Sequence, residues 1–223
     1  MTTAAFRNPT ILEVPRRLGA GVLVSLALLA AVSPAAAQEA WGQSKGASLG
    51  LKLVIDGTGE GEAANPGDPH IDAIGAGLAL VGGYTWSPRF HTRLVLGSAT
   101  HGTSVPDFDV QRSWGTFEAH YRFLPERQVC PYAFGALGGS DVRAEEGPNR
   151  VKFSGGTAGI GAGLLVGFTP RWVLDLSSSL EGINWNKAEW SQDQPGGGTL
   201  QYQNAIEESG GAFRIDLGLL YQF

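Results

Sequence analysis

The stretch Phe213-Arg214-Ile215-Asp216-Leu217-Gly218-Leu219-Leu220-Tyr221-Gln222-Phe223 decides the fold. Its odd positions carry Phe, Ile, Leu, Leu, Tyr and Phe, and its even positions carry Arg, Asp, Gly, Leu and Gln. A period of two places these sets on opposite faces of a strand. Length matters as much as pattern, because a tilted strand needs about ten residues to cross the hydrocarbon of a bilayer. One face suits lipid and the other suits polar company.

Working back from this end, seven further segments alternate. Residues 47–55 set Leu49, Leu51, Leu53 and Ile55 against Ser48, Gly50 and Lys52. Residues 71–86 set Ile74, Leu78, Leu80, Tyr84 and Trp86 against Gly and Ala, and residues 90–100 oppose Leu94 and Leu96 to His91 and Arg93. Residues 112–124 oppose Phe117, Tyr121 and Phe123 to Glu118, His120 and Arg122. In residues 132–141 the pattern is weaker, with Tyr132 and Phe134 against Ala133 and Gly135. Ile160, Leu164 and Phe168 alternate with Gly159, Gly161 and Gly163, and residues 172–184 set Leu174, Leu176 and Leu180 against Asp175, Ser177 and Glu181.

The connections alternate in length. Residues 87–89, 125–130 and 169–171 are tight, whereas 56–70, 101–111, 142–152 and 185–209 are long and rich in Gly, Pro and acidic groups. Short turns on one side and long loops on the other are the habit of a membrane barrel, with the short turns toward the periplasm. The expected fold is therefore all-β, an eight-stranded antiparallel up-and-down transmembrane β-barrel. A hairpin around Gly196-Gly197-Gly198 would raise the count to ten. Energetics choose the outward face: an arginine at the midplane of the lipid face costs roughly 2–4 kcal/mol. Inverting the strands would turn Arg122, Asp175, Glu181, Arg214 and Asp216 to lipid together.

The other end of the chain reads as a secretory leader. Arg16-Arg17 precede the apolar run Leu18–Val32, then Ser33-Pro34 and Ala35-Ala36-Ala37, giving a signal peptide over 1–37 and a barrel domain over 38–223. The run is shorter than the 18 or so residues that a spanning helix needs. A strand-crossing chain behind such a leader belongs in a bacterial outer membrane. Without Arg7, Glu13, Arg16 and Arg17 the remainder has 13 basic and 20 acidic side chains, a formal charge of −7. Nucleic acid is excluded as a partner, since phosphate backbones need a basic face. Cys130 is the single cysteine, read as a small residue in a turn, so no internal disulfide forms.

Two turns echo each other: Tyr84-Thr85-Trp86-Ser87-Pro88-Arg89-Phe90 and Gly167-Phe168-Thr169-Pro170-Arg171-Trp172. Aromatic rings flanking turns suit the boundary between lipid tails and water. Trp86, Phe90, Phe168, Trp172 and Tyr132 are assigned to the periplasmic belt with Tyr121, Phe123, Tyr221 and Phe223, and Trp114, Phe153 and Trp185 to the outer one. With the terminal strand and Pro131-Tyr132-Ala133-Phe134-Gly135 opening a strand, these features make residues 46–223 resemble the small outer-membrane β-barrel proteins. That group includes the OmpA membrane domain, OmpX and OmpW. The resemblance implies that Phe213, Ile215, Leu217, Leu219, Tyr221 and Phe223 are read by the barrel-assembly machinery after escort by periplasmic chaperones. It implies outer-membrane lipids and lipopolysaccharide as neighbours, and no particular activity.

The inward charges form the main polar constellation: Lys52, Arg93, Arg122 and Arg214 against Glu118, Asp175, Glu181 and Asp216. With Trp172 level with Phe223, Glu181 falls opposite Arg214, and folding residues 101–111 in half brings Arg93 near Glu118. A barrel this narrow is filled by side chains, so the network is expected to be a fixed plug. The alternative is a narrow porin-like channel whose ion pairs exchange. A lipid A-modifying enzyme would need a His–Ser–acid set, for which His101, Ser104 and Asp107 or Asp109 are the candidates. His70, His91 and His120 are the other histidines, and no ordered catalytic spacing appears. The acidic sets Asp56, Glu60, Glu62, Asp68 and Glu189, Asp193, Glu207, Glu208 lack the ordered spacing of a calcium loop. No metal, cofactor or catalytic residue is assigned. A soluble lipocalin-like barrel would reverse the faces. The expected role is structural or surface-interacting, as a monomer.

Overall fold

The computed structural model describes residues 45–58, 71–103, 108–194 and 197–223. The expected signal peptide, His70, Glu60, Glu62, Asp68, Ser104 and Asp107 lie outside the described residues, as does the side chain of Asp109. Eight strands follow in chain order: β1 (Gly46–Thr58), β2 (Ile71–Thr85), β3 (Phe90–Thr103), β4 (Phe108–Arg122), β5 (Val129–Glu146), β6 (Asn149–Gly167), β7 (Trp172–Asp193) and β8 (Thr199–Gln222). Each pairs antiparallel with its neighbours in sequence, and β8 returns to β1 to close the barrel. No strand edge is left open along the closing seam, where Ser48 through Thr58 pair with Gln222 through Ala212.

The faces follow the alternation. Leu49, Leu51, Leu53, Leu78, Leu80, Leu94, Leu96, Phe117, Ile160, Leu180, Leu217 and Leu219 are exposed around the outside. Lys52, Arg93, Glu118, Asp175, Arg214 and Asp216 are buried inside. An apolar belt of this extent is stable only against lipid, since soluble proteins rarely leave such contiguous patches bare. Leu53, 61% exposed, sits mid-belt between Leu78 and Leu217. Leu53→Arg is expected to cost roughly 2–4 kcal/mol, against 0–1 for Ile74→Arg near the rim. Urea unfolding in phospholipid vesicles measures the difference.

The two echoing turns share one hydrogen-bond plan. Ser87 Oγ accepts from the Phe90 amide at 3.1 Å, and Thr169 Oγ1 accepts from the Trp172 amide at 3.0 Å. A hydroxyl at the turn's first position thus accepts from the amide three residues on, in the first turn beside the Ser87 carbonyl at 3.2 Å. Their arginines reach sideways to girdle tyrosines, Arg89 to Tyr121 at 3.5 Å and Arg171 to Tyr221 at 3.1 Å. Trp86, Phe90, Phe168 and Trp172 are exposed at this end, with Trp172 edge-on to Tyr221.

Several expectations are corrected. Residues 142–152 and 185–209 are not long loops, because β5 and β6 meet at a tight turn with Gly147 at φ 55°, and β7 and β8 continue to Asp193 and from Thr199. Both hairpins extend existing strands, so the count stays at eight. Above the bilayer neither face must be apolar, so hydrophobic alternation stops while pairing continues. The β7–β8 register sets Trp172 opposite Tyr221, two residues from the expected partner, and puts Ser179 rather than Glu181 opposite Arg214. Cys130 lies in β5 rather than in a turn, buried beside Leu165, Val173 and Leu220.

Candidate functional site

Among the described residues, buried polar side chains concentrate in the lumen. Positions of one parity on each strand deliver them: Lys52 and Asp56 from β1, Arg93 and His101 from β3, Arg112, Glu118, His120 and Arg122 from β4. Asp175 and Glu181 come from β7, and Arg214 and Asp216 from β8. Five cations (Lys52, Arg93, Arg112, Arg122, Arg214) meet five anions (Asp56, Glu118, Asp175, Glu181, Asp216), all essentially buried. Charges balance where burial would otherwise penalise each one by several kcal/mol.

Toward the periplasm, Asp175 is the hub. Its Oδ2 accepts from Arg93 at 2.5 Å and lies 3.2 Å from Lys52 Nζ, while Oδ1 accepts from the Tyr132 hydroxyl at 2.5 Å. Lys52 also reaches Ser177 at 3.2 Å and Asp216 at 3.4 Å. Arg93 and Glu118 are cross-strand partners as the loop folding implied, yet the guanidinium turns across the lumen to Asp175. His120 contacts Glu118 at 2.9 Å and stacks on Phe134, and His91 contacts Thr85 at 2.9 Å. Arg122 is buried at this end.

Toward the outer end, Arg112 is the hub. It donates to Asp56 at 2.5 Å, to Glu181 at 2.6 Å and to Ser140 at 3.0 Å, joining β4 to β1, β7 and β5. Arg214 bridges the two layers, 2.9 Å from Glu181, 3.3 Å from Asp216 and 3.4 Å from Glu118. The Glu181–Arg214 contact therefore forms diagonally despite the shifted register. Trp114 lies beside both guanidiniums, its ring centroid 5.5 Å from Arg112 and 5.1 Å from Arg214.

Four aromatic assignments are overturned: Phe153 and Trp185 leave the outer belt by register, Phe153 pairing with Val142 and Trp185 with Gly155 on the inward parity of β6, and Tyr132 and Trp114 leave theirs by burial. Tyr132 is not in the periplasmic belt: it is 1% exposed and faces the lumen. The cause lies on β6, where Gly161 and Gly163 face inward. A Cβ on Gly163 would stand 2.5 Å from the Tyr132 ring, and one on Gly161 would stand 2.3 Å from Phe134. Missing side chains on one strand make the room that rings on the next fill. Trp114 leaves the outer belt for the same reason, since a Cβ on Gly97 would meet its ring at 2.3 Å. Asp56 is likewise no part of an acidic surface loop. It is buried, held by Arg112 and by His101 at 3.2 Å. His101 is accordingly an interior residue.

Asp56, Arg112, Trp114 and Tyr132 were missed as lumen residues although parity marks the first three. Asp56 continues Lys52 and Val54 in steps of two, and Arg112 and Trp114 precede Glu118 in the same steps.

A family model described as the outer membrane protein beta-barrel domain matches residues 23–206. The fold is similar to Neisserial surface protein A (TM-score 0.55, 13% identity), covering 79% of this chain and 97% of that one. It is also similar to Ail, the attachment invasion locus protein of Yersinia pestis (TM-score 0.53, 15% identity, 81% and 100% covered). A major outer membrane protein from Thermus thermophilus aligns with TM-score 0.54 at 13% identity, over 79% and 99%. No curated relative matches the chain by sequence.

Proposed function

The chain belongs to the outer-membrane β-barrel domain family, and from that premise we propose a structural and surface-interacting role with a closed lumen. The observation that carries this reading is the burial of all ten interior charges, with five cations set against five anions in two linked layers. A water-filled pore would leave such groups exposed to its solvent. Half of the periplasmic end adds an apolar stopper of Cys130, Leu165, Val173 and Leu220. Gly50 makes room for it, since a Cβ there would lie 2.4 Å from the Leu220 side chain. With the interior spent on closure, activity falls to the outside.

The projecting part of the barrel supports that half of the proposal. β7 and β8 run for 22 and 24 residues, about twice the length needed to cross the bilayer. Together with the ends of β5 and β6 they raise a four-stranded sheet above the apolar belt. Export through the leader, passage by periplasmic chaperones and assembly through the terminal Phe213–Phe223 strand complete the proposed route, with the product monomeric among outer-membrane lipids. No residue is assigned a catalytic role or a cofactor.

Planar-bilayer recording tests the closed lumen. The refolded wild-type protein is expected to be silent. Steady single-channel steps in the unmodified protein would replace this reading with the narrow-channel alternative.

A further inference from the structure

The two echoing periplasmic turns are parts of larger units that repeat as well. Arg89 and Arg171 each precede an aromatic residue, Phe90 or Trp172, that pairs with a tyrosine on the next strand, Tyr121 or Tyr221. The carbonyl of each arginine accepts from the amide that follows this tyrosine, Arg122 in one unit and Gln222 in the other, both at 2.8 Å. Two residues past each tyrosine stands a phenylalanine, Phe123 or Phe223, edge-on to it with ring centroids 5.5 and 5.0 Å apart. The guanidinium then reaches the tyrosine hydroxyl, at 3.5 Å from Arg89 and 3.1 Å from Arg171. One unit joins β3 to β4 and the other β7 to β8, four strands on in a ring of eight, so they stand on opposite walls.

These contacts fix where the two charges sit. Phe90, Tyr121, Phe123 and Trp172 are exposed on the outward face, at the depth where lipid tails give way to headgroups. A turn arginine left to itself would extend into the periplasm. The hydroxyl contact instead draws each guanidinium sideways along the wall to the aromatic girdle. Arginine has five N–H donors, of which the tyrosine oxygen takes one, and the phenolic O–H is still a donor. Each unit therefore presents a cation and a hydroxyl side by side, directed at the lipid.

The charge is also uncompensated. Arg143, Arg150, Lys152 and Lys187 at the outer end all have carboxylate partners. Among the described residues no carboxylate pairs with Arg89 or Arg171, whose side-chain contacts are the two tyrosines. The periplasmic rim as a whole is basic, with Lys45, Arg89, Arg127 and Arg171 against Glu126 among its described side chains, on a chain that is acidic overall. Phosphate oxygens complete such a donor set, because arginine meets them with two parallel hydrogen bonds. Anionic headgroups attract basic side chains held at a membrane surface.

We propose that each unit holds the phosphodiester of one anionic glycerophospholipid in the periplasmic leaflet, giving two sites on opposite walls of the barrel. Arg89 or Arg171 takes the non-bridging phosphate oxygens, and the hydroxyl of Tyr121 or Tyr221 donates beside it. The acyl chains lie along exposed side chains farther up the same strands, Leu94 and Phe117 at one site, Leu217 and Leu219 at the other. This rests on the outer-membrane placement and not on the closed lumen, so a conducting wild type would leave it standing.

The test is native mass spectrometry of the full chain in detergent, titrated with phosphatidylglycerol, with folding checked by heat-modifiable gel mobility. Wild type is expected to retain two lipids, and R89Q and R171Q one each. R89Q/R171Q should bind about tenfold more weakly than wild type, the loss that follows from removing a charged hydrogen-bond donor. The control R127Q, altered on the third tight turn, should retain two. Diacylglycerol with the same chains lacks the phosphate and should not be retained, and an equal concentration of inorganic phosphate should not displace the lipid. Unchanged binding by R89Q/R171Q, equal loss in R127Q, or retention of diacylglycerol equal to that of phosphatidylglycerol would each overturn the assignment. Displacement by inorganic phosphate would overturn it too, by showing that the sites take the free ion.

Discussion

Asp175→Ala is expected to lower the unfolding free energy of the barrel by about 3–5 kcal/mol, the cost of stranding a buried charge. Arg93 loses its 2.5 Å acceptor, Tyr132 loses the acceptor of its hydroxyl, and Lys52 keeps only Asp216 and Ser177. Asp175→Asn keeps the shape but not the charge, so it should fall between alanine and wild type. Tyr132→Phe removes one neutral donor to a charged acceptor, worth about 1.5–3 kcal/mol. Adding Arg93→Met to Asp175→Ala removes the stranded cation and should restore part of the loss. Urea titration of vesicle-reconstituted protein, followed by tryptophan fluorescence, reads all four. No recovery in the double variant would show that Asp175 acts through packing, not as the counter-ion of Arg93.

Much of this arrangement is legible in the sequence, because a membrane barrel constrains its two faces so differently. Inside the bilayer the outward residues are predominantly apolar, so alternation in Phe213–Phe223 or Leu49–Ile55 identifies strand, face and lumen residue together. The signal fails in two places, for different reasons. Beyond the bilayer the outward face may be charged. Val142–Lys152 and Trp185–Ser209 then read as loops, although backbone pairing carries on through them. Asp56 is lost the same way, sitting one step past the last outward leucine or isoleucine of β1. Within the bilayer the lumen is not uniformly polar. Tyr132, Phe134 and Trp114 look like lipid-facing aromatics until one sees the inward glycines on the adjacent strand. That information is spread over residues 17 to 31 apart in the chain, and the pairing register alone brings them together. Register between β7 and β8 differs by two residues from the aromatic alignment, because it is fixed at the other end of the hairpin, where the Gln194 amide bonds the Gly198 carbonyl at 2.8 Å and Asp193 pairs with Thr199.

Arg112→Ala is expected to cost a similar 3–5 kcal/mol and yet leave the lumen closed. The guanidinium holds Asp56 and Glu181 on opposite walls, at 2.5 and 2.6 Å, and flanks the Trp114 ring. Without it Asp56 retains His101, and Glu181 retains Arg214 at 2.9 Å, so the outer layer loosens and gains two under-neutralised carboxylates. The layer built on Asp175, Arg93, Lys52 and Tyr132 lies farther toward the periplasm and shares no direct partner with Arg112. On the proposed closed lumen, conduction would need both layers open. Arg112→Ala alone should therefore stay silent in planar bilayers, whereas Arg112→Ala with Asp175→Ala and Arg93→Met should conduct. The triple variant should prefer cations, because Asp56 and Glu181 then line the outer constriction without Arg112. Conductance from Arg112→Ala by itself would mean that the outer layer is the sole barrier, and that the Asp175 layer stabilises the barrel without sealing it.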